Sequence, residues 1–123
     1  MSDLRLTVDD VTLTASWVDE NESLRTALAA ALPVAGDATR WGDELYFDAG
    51  LDADPTTTAE RVPVGAVAYW PAGDALCLFW GPTPASTGDE PRAAAPVALL
   101  ATIDDVTPLD TVSGGAHVTV ERA

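Results

Sequence analysis

The residues best suited to chemistry lie in the stretch RWGDELYF, residues 40–47, where one cation, three aromatic rings and two carboxylates fall within eight positions. Arg40 is one of only six basic residues, all of them arginine. A guanidinium beside a tryptophan can capture a carboxylate or a carbonyl oxygen, and its plainer use is an ion pair with Asp37, Asp43 or Glu44. The alternation in DELYFD puts Leu45 and Phe47 on one face of a strand and Glu44, Tyr46 and Asp48 on the other. Asp43 and Glu44 then point to opposite faces, which argues against their acting as an acid and base pair. Trp70 and Trp80 end two further apolar runs, VPVGAVAYW and ALCLFW. An apolar cleft with a few polar anchors is the usual build of a small-ligand site. Arg40, Trp41, Glu44, Tyr46, Trp70 and Trp80 are therefore the candidate ligand-binding residues, with core packing the competing use of the aromatics.

Other chemistry finds little support. The single cysteine, Cys77, lies inside an apolar run, where burial raises a thiol's pKa and hides it. The single histidine, His117, stands 40 residues later on an alternating segment, so the two have no metal-ligand spacing. No serine sits in a Gly-x-Ser-x-Gly turn, and Gly114-Gly115 reads as a hairpin turn rather than a phosphate loop. The expectation is no catalytic residue, no metal and no cofactor.

The elements that must position the candidates follow from periodicity. LRLTV (4–8) and VTLTASW (11–17) alternate around Asp9-Asp10 and read as a hairpin. Leu24, Leu28 and Leu32 recur at a spacing of four before Pro33, predicting a helix over about 21–32, with Asp19 or Asn21 as its cap. DELYFD, VPVGAVAYW, ALCLFW, VALLATI (97–103) and AHVTVER (116–122) read as strands; residues 49–60 and 81–96 read as loops, and VTPLDTV (106–112) as one helical turn. The sum is seven or eight strands and one helix in a single mainly β domain, a barrel or sandwich.

Charge narrows the setting. Twenty acids face six arginines, a net charge of −14 with no lysine, and the acids are scattered rather than gathered in a tail. Self-repulsion of this size weakens a compact state in dilute salt and fades in molar salt, where the screening length is about 3 Å. The composition predicts the cytoplasm of an extreme halophile. Phosphate backbones would be repelled, so no nucleic-acid partner is expected. No apolar run approaches the roughly 20 residues of a membrane helix, and the start of the chain does not read as a signal peptide.

Three blocks, RWGDELYF, VGAVAYWPAGDALCLFWGPTP and PVALLATIDDVTPLDTVSGGAHVTVE, resemble the small prokaryotic cyclophilin-like family, whose biochemical role is not established. The resemblance runs from about Val11 to Glu121, with Ala66 departing from the Asp usual after Gly65. It implies a closed antiparallel barrel of about eight strands with the helix plugging one end. It also implies an outer groove in which Leu78 and Trp80 face outward and Cys77 and Phe79 face the core. The third strand lacks the arginine of true cyclophilins, and His117 does not match their groove histidine. The leading expectation is a non-catalytic binder of a small molecule or peptide end, with a weak prolyl isomerase and a homo-oligomeric assembly subunit as alternatives.

Overall fold

The computed structural model describes residues 2–123, which form ten strands, one α-helix and two 3-10 turns. β1 (Leu4–Val8) and β2 (Val11–Trp17) pair as the expected hairpin, with Leu6 opposite Leu13, and Asp9 turns the chain at φ 53°. The helix α1 (Glu22–Ala31) buries Leu24 and Leu28 in the core and packs Leu32 against it. Asn21 precedes the helix, but its side chain does not cap it. Its carboxamide is buried, accepting from the Thr56 and Thr57 N–H groups at 2.8 Å each and donating to the Leu99 carbonyl. The expected cap is instead a pin that ties the loop after residue 49 to the sheet.

The remaining strands are β3 (Val34–Asp37), β4 (Thr39–Arg40), β5 (Glu44–Asp48), β6 (Ala59–Arg61), β7 (Ala66–Trp70), β8 (Ala75–Phe79), β9 (Arg92–Ile103) and β10 (His117–Arg122). Their ladder is antiparallel throughout and runs β3-β10-β1-β2-β9-β7-β8-β5-β4, with β6 added to β9. The closed barrel expected above is corrected in this respect: the hydrogen-bond ladder is open between β3 and β4. These end strands are consecutive in the chain, and Ala38 alone joins them. Ala38 turns its amide and carbonyl to Ala116 and Gly115, so it cannot continue a ladder to β5. At this seam β3 meets β5 by packing, with Gly36 leaving room for the Phe47 ring.

The strand count exceeds eight because β3, β4 and β6 are only four, two and three residues long, too short for alternation to mark them. β7 starts four residues after Val62 rather than with it. Gly65, at φ +88°, packs against the Ile103 carbonyl, and its turn is held by backbone bonds to Phe79 and Ile103 although Ala66 brings no acid. β9 starts at Arg92, inside the expected loop. It runs through Pro96 at a register shift against β6, where a strand tolerates proline. Gly114-Gly115 is a turn, and the segment before it is a 3-10 turn (Thr107–Thr111), the one helical turn expected over 106–112.

The interior core joins Leu4, Leu6, Leu45, Phe47, Leu78 and Leu100 with the helix leucines. A second, smaller apolar cluster lies on the other face of β7 and β8, where Ala66, Ala68, Cys77 and Phe79 meet Val62, Ala93 and Val97. Burial on both faces explains why AVAYW and ALCLF are continuous apolar runs. No helix among the described residues is long and apolar enough to cross a membrane.

Candidate functional site

The second cluster is the inner edge of a cavity of about 290 Å³ on the outer face of the sheet. β5 supplies Glu44 and Tyr46, and β8 supplies Cys77, the register partner of Tyr46. Residues paired across strands share a face, so the register settles which side of β8 faces outward. This inverts the expected facing. Cys77 and Phe79 lie on the groove side, while Leu78 and Trp80 belong to the interior core. Trp80 is 6% exposed and is not part of the cavity wall.

Three aromatics frame the cavity. Trp41 comes from the turn before β5, Tyr46 from β5 and Trp70 from the end of β7. Tyr46 and Trp70 meet edge to face, with ring centroids 6.4 Å apart at 85°. Trp70 lies flat on Gly73, where an added Cβ would fall 2.4 Å from its ring, so only glycine admits this ring position. The facing wall is the alanine run 93–95 with Val97, and those small side chains are what leave the space open.

Arg40, the expected anchor, is elsewhere. It pairs across the ladder with inward-facing Leu45, and its guanidinium lies 5.2 Å from the centre of the Trp80 ring. It donates to the Gly42 carbonyl at 2.8 Å, the Val112 carbonyl at 2.6 Å and the Asp43 carboxylate at 3.0 Å. Arg40 and Trp80 thus pack on each other, and the six expected residues divide into this pair and a cavity set of Trp41, Glu44, Tyr46 and Trp70. Gly42, at φ +63°, makes the division possible, because it reverses the chain against Thr83 and Pro84 where a Cβ would not fit.

Glu44 is the polar centre of the cavity. It is the one acid of twenty that the fold buries, at 5% exposure. Desolvation, partly offset by a hydrogen bond with Cys77, pushes its carboxyl up to about 7. Burial and the Glu44 charge in turn push the Cys77 thiol well above its ordinary value. None of the six arginines lines the cavity. Asp43, in the bend before β5, points away to Arg40. His117 is exposed on β10 and faces Asp37.

Cys77 and the alanine wall were not legible as site residues. A cysteine in an apolar strand carries no signal of which face it takes, and three alanines before a proline read as loop. The pairing of Tyr46 with Cys77 would have identified the cysteine, but register is not readable from one strand alone.

Comparison with known proteins agrees with this architecture. The cyclophilin-like family model matches residues 2–121. A hypothetical protein from Archaeoglobus fulgidus, known from its solution structure, is 34% identical over 99% of this chain and 95% of its own, with a TM-score of 0.82. McbB, solved in complex with tryptophan, shares the fold at 15% identity and a TM-score of 0.71, and this chain spans 44% of its length. None of the curated proteins matches the chain. A family match along nearly the whole chain, joined to the same strand architecture, shows that the chain belongs to the cyclophilin-like family.

Proposed function

We propose that the outer cavity binds a small molecule with a flat apolar body and that the protein works as a binding module without chemistry of its own. One observation carries this reading: a buried carboxyl, Glu44, stands in a cavity framed by Trp41, Tyr46 and Trp70. The volume of about 290 Å³ is at the small end of ligand pockets, roughly 300–1,000 Å³, which suits one ring system better than a peptide end. The tryptophan complex of the distant neighbour McbB makes an indole a sensible first probe.

Prolyl isomerisation is the weaker reading. It needs a donor aimed at the twisted imide, and the guanidinium of Arg40 is engaged by Gly42, Asp43 and Val112. Assembly through exposed aromatics is weaker too, because Trp41, Tyr46 and Trp70 are half-buried around the cavity. For the setting, we read the absence of lysine and the outward position of nearly all the acids as adaptation to a salt-rich cytoplasm.

The test is a fluorescence titration with L-tryptophan analogues lacking intrinsic emission, such as 4-fluorotryptophan, in molar KCl. Saturable quenching of the protein is expected, and Ala95→Leu, which fills the cavity from its wall, should abolish it without lowering Tm. Quenching that survives Ala95→Leu would place binding elsewhere and end this reading.

A further inference from the structure

We propose that the cavity selects a cation: an organic ammonium on a flat apolar body, with its nitrogen held by Glu44 and framed by Trp41, Tyr46 and Trp70. The proposal rests on the reading of the cavity as a ligand site and names the chemical class that site takes.

A buried carboxylate is normally paired with a cation or accepts several hydrogen bonds. Glu44 has neither arrangement. On β8 it faces the Cys77 thiol, a weak donor; on its own strand it faces Tyr46; β9 offers the alanines 93–95 and Val97. The preceding turn brings the Trp41 ring, whose backbone N–H goes to the Glu44 backbone carbonyl and not to the carboxyl. The arginines nearest in sequence or on neighbouring strands do not serve it. Arg40 holds Asp43, and neither Arg61 nor Arg92 lines the cavity. When Glu44 is ionised, its partner must therefore come from outside the chain. The walls favour the same sign, since aromatic faces are negative and attract ammonium groups. The net charge of −14 draws cations toward the surface and repels anions. A ligand whose only charge is a carboxylate would meet Glu44 and three aromatic rings with no cation to receive it.

Ligand charge and shape are separated by two probes of nearly equal size, tryptamine and tryptophol, in which a hydroxyl replaces the ammonium. Calorimetric titrations are made in about 2 M KCl, where exposed charges are screened and a buried pair is screened far less. At about pH 8 tryptamine is expected to bind roughly tenfold or more tightly than tryptophol. Below pH 7 its affinity should fall, by up to about tenfold per unit, as Glu44 takes up a proton while the amine, with a pKa of about 10.4 like lysine, stays charged. Tryptophol should show no such fall. Glu44→Gln should bring tryptamine down to the tryptophol level, and if that variant does not fold, the pH dependence of the unaltered protein decides. Equal binding of the two probes, or tighter binding of tryptophol, would overturn the cation proposal and leave the cavity a site for neutral ligands. Binding of neither probe would overturn both the proposal and the ligand site beneath it.

Discussion

Glu44 makes the protein's stability depend on pH in a sense opposite to that of most acids. Its folded pKa of about 7 stands above the unfolded value of about 4.3, so the folded state holds the proton more tightly. The stability this gives is complete below about pH 4 and is lost as pH rises through about 7. Glu44→Gln removes the titration. Relative to the native chain, the variant should be near neutral at about pH 4 and more stable by about 3 kcal/mol above pH 8. Denaturant melts across that range measure the difference, and a gap that does not change with pH would show that the carboxyl is not desolvated. Arg40 makes a contrasting prediction. Arg40→Ala loses three hydrogen bonds and the contact with Trp80, so it should cost about 1–3 kcal/mol in the same melts while leaving probe binding unchanged. A variant that lost binding but kept its stability would return Arg40 to the site. The type of Arg40 was informative in the sequence and its direction was not: of two adjacent residues, Arg40 turns to Trp80 and Trp41 to the cavity.

At the scale of elements, the site depends on how β5, β7, β8 and β9 meet. The alternation of DELYFD was enough to place Leu45 and Phe47 inside and Glu44 and Tyr46 outside. ALCLFW offered no such contrast, because every residue of β8 is buried, and the resemblance to true cyclophilins turned the strand the wrong way round. Only the ladder with β5 settles it. The α-helix was readable to within one residue at each end, since a leucine repeat and a proline stop are local signals. The role of Asn21 was not, because its partners are the loop at Thr56 and Thr57 and the strand at Leu99. Element packing also makes Gly73 a positioning residue. Gly73→Ala should drive the Trp70 ring off the 3-10 turn (Pro71–Gly73) and weaken probe binding strongly, with only a modest loss of stability at this surface turn. Crystal structures or near-ultraviolet circular dichroism of the variant would detect the displaced ring, and unchanged binding would show that Trp70 is not a wall the ligand uses.

At the scale of the molecule, the charge of −14 should govern stability through salt. Tm is expected to rise as KCl goes from about 0.2 M to about 2 M, because the repulsion between exposed acids is screened. A flat or falling Tm would contradict adaptation to salt. The mainly β class and the family resemblance were both legible in the sequence, since they rest on alternation and local motifs. The open seam at Ala38 was not, because closure depends on where one backbone amide and one carbonyl turn. The cavity itself belongs to this scale too: it exists only when the alanine wall of β9 folds over β5 and β8.

The central claim is that this cavity is the ligand site, and the chain carries its own reporters for it. Of four indole N–H groups, those of Trp41 and Trp70 belong to cavity residues, while Trp80 lies in the interior core and Trp17 packs against it. A proton–nitrogen correlation spectrum recorded as tryptamine is added should move the Trp41 and Trp70 signals together, along one saturation curve, and leave those of Trp17 and Trp80 in place. Shifts at Trp17 or Trp80 with Trp41 and Trp70 unmoved, or no saturable shift at any of the four, would contradict the account.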